Sequence, residues 1–187
     1  MTPIEQSEKW HLGLGSSQDI TLEKCLEQMD SFKLSSNDVP FIIKLVENPK
    51  YDIGLFAGNV DLFTHDCIHI LLGRGLLVKD EAFVIGYTMG STKKMPRWRR
   101  NLFMFCAKRL YPKGYKFKED ERFIFNMGVM AGSISPVDFS KTDFRFFLKC
   151  EVGKIREHLQ LNTYLLKNCY AVEKQLFRGS YESHRLI

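Results

Sequence analysis

Two histidines and two carboxylates between positions 65 and 81 have a spacing that suits a metal site. His65 and His69 are four residues apart, Asp66 follows the first of them, and Glu81 lies further along the chain. On an α-helix, residues four apart are separated by about 40° and lie one turn apart on the same face. Two imidazoles in this arrangement bind a divalent metal from a single helix. The spacing therefore predicts a metal site.

The two carboxylates are placed to complete this site. Asp66 lies about 60° beyond His69 on the helix, where it can bind the metal as a third ligand or orient an imidazole. The glycines of 73–75 predict that the helix ends soon after His69. If a second helix starts near Val78 and runs back antiparallel, Glu81 comes level with the histidines. Such ligands suit Zn²⁺, with Mg²⁺, Mn²⁺ or Fe²⁺ as alternatives.

The same residues have a plainer interpretation, in which the histidines occur by chance and the carboxylates are ion-pair partners on a solvated face. The helix is otherwise apolar, and an unpaired polar group among apolar residues is costly, which favours the metal site. Cys67 lies about 200° from His65 around the helix. We therefore expect Cys67 in the core and not among the ligands.

The elements that position these residues are predicted to be helical. Apolar residues recur mostly at intervals of three and four, which indicates an all-α fold. The 187 residues, 44% of them hydrophobic, suit one domain spanning 1–187 and built as a bundle of six to eight helices. The predicted helices are 19–32, 37–46, 59–72, 78–90, 96–110 and 117–130. The ranges 143–161 and 164–177 are predicted as two helices or as one bent helix, with a break at 162–163.

Cysteine content and the N-terminal residues bear on the location of the protein. Its five cysteines are scattered and include no C-x-x-C pair, which argues against a disulfide framework. The first thirty residues contain acids and no long apolar run, so we expect neither a signal peptide nor a transit peptide. No apolar stretch is long enough for a membrane span. We expect a cytoplasmic protein, with any membrane contact peripheral to the inner face.

A basic segment runs from Lys93 to Lys118, with ten basic residues and no acidic one. Within it, cations alternate with aromatic residues such as Trp98 and Phe105. A basic, aromatic helix of this kind can lie on an anionic membrane surface, although a packed helix with a solvated basic face has the same pattern. No nucleic-acid-binding motif accompanies the patch, so nucleic acid is not an expected partner.

Fifteen phenylalanines and seven methionines are many for this length. Two groups, 123–130 and 144–148, are expected to be core, or alternatively the lining of a cavity for a lipid tail. Gly128 and Gly132 predict close contact with another helix or with a ligand. The remaining histidines have no ligand spacing and are expected at the surface or as capping residues; they are His11, His158 and His184.

The run His65-Asp66-x-x-His69, eleven further residues and then Glu81 resembles the H-D-x-x-H-x11-E signature of the ubiquinone (coenzyme Q) biosynthesis protein Coq-four family. The continuation of His69 through Leu71, Leu72 and Gly73 is similar too. The close match covers about twenty residues. Family members often have glycine before the glutamate, where this chain has Asp80, and without a mitochondrial leader the chain resembles a bacterial-type relative.

This resemblance implies an all-α fold with His65, Asp66, His69 and Glu81 as ligands to zinc or another divalent metal. It also implies a peripheral membrane protein that handles isoprenoid-tailed quinone precursors and is associated with assembly of a biosynthetic complex. We expect the protein to act as a homodimer or within such a complex. The implied reaction is oxidative decarboxylation at C1 of a prenylated hydroxybenzoate. Asp66 or Glu81 would then carry a proton as catalytic residue, and the metal would act as a Lewis acid.

Two alternatives remain. The protein could be a non-enzymatic scaffold that presents a lipid to a quinone biosynthesis complex, and a metal closed off by four protein ligands would favour this. It could also be a metal-dependent phosphohydrolase of the His-Asp type. That class needs a further upstream histidine and a downstream aspartate, for which the candidates are His11, Asp138 and Asp143.

Overall fold

A computed structural model describes residues 10–32, 60–92, 95–109 and 116–186. These residues are mainly helical and contain no β-strand, which confirms the all-α prediction. The α-helices in these ranges are α1 (Leu22–Asp30), α2 (Leu62–Leu72), α3 (Val78–Ser91), α4 (Arg97–Arg109), α5 (Glu119–Ser133), α6 (Val152–His158), α7 (Thr163–Leu176) and α8 (Tyr181–His184). Two short 3₁₀ helices, Phe139–Lys141 and Phe144–Phe147, follow α5.

Most predicted helices correspond to an observed one, whereas the predicted helix 37–46 lies outside the described residues. The prediction of a continuous helix over 143–161 is wrong. Here the backbone bonds to the segment that begins α1: the amide of Leu22 donates to the carbonyl of Cys150, and the amide of Val152 donates to the carbonyl of Ile20. This pairing holds the chain extended before α6 begins. The predicted break at 162–163 is confirmed, because the Asn162 side chain caps α7.

Helices α3 and α5 run parallel and touch along glycines. Gly86 of α3 lies against the backbone of Phe125, and Gly128 of α5 lies against the backbone of Phe83. A Cβ atom added at either glycine would lie 2.2 or 2.3 Å from a carbonyl oxygen of the other helix. The close helix contact predicted for Gly128 is therefore confirmed, and it fixes α3 in the bundle.

The aromatic groups divide between core and surface. Phe125 and Phe144 are buried, whereas Phe123 and Phe146 are exposed. Cys67 is fully buried, as predicted from its position around the helix. All five cysteines are free thiols. Within the described ranges, no helix combines the length and the apolar character needed to cross a bilayer.

Candidate metal centre

Helices α2 and α3 bring three potential ligands together. Nε2 of His65 lies 3.4 Å from Oε2 of Glu81, and Nε2 of His69 lies 3.3 Å from Oε1 of the same carboxylate. The two imidazole centroids are 4.6 Å apart, as expected for neighbours one turn apart. One potential ligand atom from each of His65, His69 and Glu81 lies within 4.8 Å of the other two, so this group of three could hold a metal ion.

The protonation of His69 follows from its contact with Gly75. Nδ1 of His69 lies 2.7 Å from the Gly75 carbonyl oxygen, which can only accept a hydrogen bond. Nδ1 therefore carries the proton, and in the neutral ring the lone pair is on Nε2, directed toward Glu81. Carbonyl-bound imidazoles of this kind are typical of metal ligands, because the hydrogen bond fixes both tautomer and ring orientation.

In the described part of the chain, Nε2 of His69 is buried and has no hydrogen-bond partner of good geometry. With the ring neutral, this nitrogen and the facing carboxylate oxygen are both electron-pair donors. Two donors at 3.3 Å need a cation to stabilise them. That cation is either a second proton on His69 or a metal ion.

Electrostatics at the site favour cations. Burial disfavours the charged form of His69, but Glu81 and then Asp66 outweigh this effect and raise the pKa of His69. Burial likewise works to raise the pKa of Glu81, but His69 and His65 reverse it, and the pKa lies below its ordinary value. The site therefore holds a carboxylate in its ionised form beside two imidazoles.

Asp66, the fourth predicted ligand, is outside the group of three, consistent with its position on the shoulder of the helix face. It is buried and adds negative charge near His69. Glu81 is more accessible, with 28% of its side chain exposed, whereas His69 is fully buried. Of the three side chains, Glu81 is therefore the one with the largest contact with solvent.

The turn after α2 is a Schellman motif. Gly73 has a left-handed backbone conformation, with φ at 67°, as glycine favours at this position. Its amide donates to the carbonyl of Ile70, and the amide of Arg74 donates to the carbonyl of His69. The glycines of 73–75 thus end the helix where the sequence predicts.

Buried side chains bind the other carbonyls at this end of α2. Arg156 donates to the carbonyls of Ile70 and Leu71, and the Tyr170 hydroxyl donates to the carbonyl of Leu72. Unpaired carbonyls at a buried helix end are costly, and a cation there also complements the helix dipole. Burial lowers the pKa of Arg156 to about 10. This end of α2 is therefore held firmly beneath the two histidines.

Sequence reasoning missed a buried ionic cluster directly behind the site, formed by Arg74, Asp80, Glu173 and Arg185. Arg74 binds Glu173 through two hydrogen bonds of 3.1 and 2.5 Å. Asp80, the residue before Glu81, forms ion pairs with Arg74 and Arg185. The one signal in the sequence was Asp80 itself, an acidic residue next to the predicted ligand Glu81.

The basic helix α4 borders a groove against α5. Arg97, Arg100, Met104 and Lys108 line a groove of about 440 Å³, together with α5 residues that include Arg122. Lys108 and Arg122 both pair with Glu119. Across the described ranges, neither Arg97 nor Arg100 has an ion-pair partner.

The residues needed for a His-Asp phosphohydrolase are engaged elsewhere. His11 is half-buried near Gly73 and Arg185, where burial lowers its pKa. Asp138 and Asp143 cap the two 3₁₀ helices. His158 and His184 are exposed, as predicted.

The donor set fits a divalent metal. Two imidazole nitrogens and one carboxylate form a common protein ligand set for zinc, and also suit manganese and iron. The buried Nε2 of His69 supplies an electron pair that such an ion would bind. No protein-family model, curated protein or solved structure matches this chain.

Proposed function

We propose that this protein binds one divalent metal ion, zinc in the first instance, through His65, His69 and Glu81. The observation that carries this proposal is the convergence of two imidazole nitrogens and a carboxylate oxygen within 4.8 Å of one another. The Gly75 carbonyl supports it by directing Nε2 of His69 to the site. A direct bond from Asp66 to the metal, predicted from its position on the helix and from the resemblance, and a catalytic role for Asp66 stay predictions.

We further propose that the metal serves a reaction on a prenylated hydroxybenzoate, the substrate class implied by the resemblance to the Coq-four family. Three protein ligands without Asp66 would leave a coordination position open, which favours catalysis over a purely structural metal. A bound divalent ion would supply Lewis-acid polarisation of a ring hydroxyl or carboxylate. Glu81 is the accessible acid at the site and is placed to hold or pass a proton.

Metal analysis of the purified full chain tests the first part. We expect about one zinc ion per chain after removal of metal with a chelator and reconstitution. Native mass spectrometry of gently purified protein would report metal, bound lipid and subunit number together. Failure to retain any divalent ion would contradict the metal assignment.

Incubation of the zinc form with a prenylated 4-hydroxybenzoate tests the second part. Carbon dioxide release that is lost in Glu81→Gln would support the enzymatic role, whereas metal binding without turnover would favour the scaffold alternative. An assay with O₂ present is needed because zinc supplies no redox chemistry.

We propose that the face of α4 that borders the groove binds an anionic membrane surface. Arg97 and Arg100 are the cations of the groove without an ion-pair partner among the described residues, and Trp98 and Phe105 beside them are more than half exposed. Each basic residue near an anionic bilayer contributes about 1 kcal/mol.

Co-sedimentation with vesicles tests this interaction. We expect the double variant Arg97→Gln/Arg100→Gln to bind phosphatidylglycerol vesicles at least tenfold more weakly than the native protein, since about 2 kcal/mol is lost. Lys167→Gln/Arg178→Gln is the matched control, because both residues are exposed and the change in charge is the same. Equal binding by the two double variants would contradict the proposal.

A further inference from the structure

We propose that the C-terminal segment 181–185 positions the metal ligands, and that Arg185 is the residue that holds Glu81 in place against His69. This role depends on the metal site proposed above. The segment comprises α8 and the residue after it, and it lies 100 to 104 positions from Glu81 in the sequence. Its contacts reach the residues next to the ligands on both sides of the site.

The first contact is on the Glu81 side. The guanidinium of Arg185 forms an ion pair with the carboxylate of Asp80, which immediately precedes Glu81 in the first turn of α3. Asp80 also accepts a hydrogen bond of 3.2 Å from the backbone amide of Leu77. Because Asp80 is fully buried, its carboxylate cannot exchange this partner for water. Arg185 therefore constrains the turn that carries Glu81.

The second contact is on the His69 side. The Arg185 guanidinium lies against Gly75, so close that a Cβ atom added at Gly75 would be 2.0 Å from Nη2. The Gly75 carbonyl is the group that orients the imidazole of His69. A single side chain thus contacts both the residue that orients His69 and the residue next to Glu81.

Glu182 gives the segment a second attachment. Its carboxylate accepts a 3.1 Å hydrogen bond from the backbone amide of Lys79 and lies 3.4 Å from Nζ of the same residue. Lys79 and Asp80 are consecutive and lead directly into Glu81. The first turn of α3 is therefore bound through two successive residues to the C-terminal segment.

Outer contacts of this kind tune metal affinity because they fix the ligands in the geometry that the metal requires. Loss of such a partner typically weakens metal binding by about 10- to 100-fold. The guanidinium of Arg185 contacts Asp80 and Gly75, so its effect would act through these two residues. Arg185 is a positioning residue and not a ligand.

The test compares Arg185→Gln with Arg178→Gln in the full chain. Arg178 is an exposed arginine between α7 and α8, and its replacement by glutamine removes the same charge as Arg185→Gln. Zn²⁺ affinity is measured by competition with a chromophoric chelator, and the visible spectrum of the Co²⁺-substituted protein reports ligand geometry. We expect Arg185→Gln to bind Zn²⁺ about 10- to 100-fold more weakly and to alter the Co²⁺ spectrum, while Arg178→Gln matches the native protein.

The outcomes separate this role from the metal site itself. Native affinity and an unchanged Co²⁺ spectrum in Arg185→Gln would overturn the positioning role and leave the metal site standing. Absence of metal binding in the native protein would overturn both. If Arg185→Gln does not fold, Glu182→Gln carries the test, because Glu182 is nearer the surface; a weaker Zn²⁺ affinity there supports the role, and native affinity overturns it.

Discussion

Replacing His69 with alanine is expected to remove specific metal binding, with Zn²⁺ affinity falling by more than about 100-fold. Loss of an outer contact alone weakens metal binding by about 10- to 100-fold, and His69 is proposed as a direct ligand. Its Nε2 is the buried donor that the Gly75 hydrogen bond directs to the site. Chelator competition and metal analysis of the reconstituted protein measure this change.

Because His69 is fully buried, alanine at this position also leaves a cavity. Glu81→Gln serves as a second variant, since it keeps the shape of a more exposed side chain while removing its charge. His158→Ala is the control, because His158 is exposed and lies outside the site. Zinc retained at native affinity in both His69→Ala and Glu81→Gln would contradict the proposed ligand set.

The proximity of these residues could be predicted because the contacts that create it are local. His65 and His69 share a face through helical periodicity alone, and the glycines of 73–75 place the turn that brings Glu81 level with them. Because these residues are close in the sequence, two helices joined by a tight turn can place them in only a few arrangements. The same reasoning located Cys67 in the core and the helix break at 162–163.

The surroundings of the site could not be predicted, because their contacts join distant parts of the chain. Arg74 meets Glu173 across 99 positions, and Asp80 meets Arg185 across 105. The glycines of 73–75 predict the end of the helix but not that Arg74 between them is fully buried. The wrong helix prediction over 143–161 has the same origin, since the distant partner Leu22 diverts that backbone.

The buried charges behind the site are balanced, with two arginines and two carboxylates in the cluster. Such a cluster costs much to desolvate and does not by itself make a protein more stable than an apolar core would. Its geometry is demanding, however, because each charge needs its partner in place. A cluster that contacts both Gly75 and the turn before Glu81 is therefore suited to holding the ligands in one arrangement.

Replacing Arg74 with methionine is expected to destabilise the protein by about 3–5 kcal/mol, the cost of removing one partner from a buried ion pair. Arg74 is enclosed between the rings of Phe83 and Tyr170, with its guanidinium 4.2 and 4.3 Å from their centroids. Burial works to lower its pKa, but Glu173 reverses this effect and raises the pKa above its ordinary value. Methionine keeps most of the volume and leaves the buried Glu173 carboxylate without its main partner.

Urea unfolding followed by circular dichroism measures this loss, and a double variant identifies its cause. Ser183 would remain as a single neutral donor to Glu173, at 3.0 Å, which cannot replace a bidentate arginine. Arg74→Met/Glu173→Met removes both charges, so we expect it to be more stable than Arg74→Met alone. A double variant less stable than Arg74→Met would contradict this explanation. The effect of Arg74→Met would then come from lost packing against Phe83 and Tyr170 and not from the unpaired carboxylate.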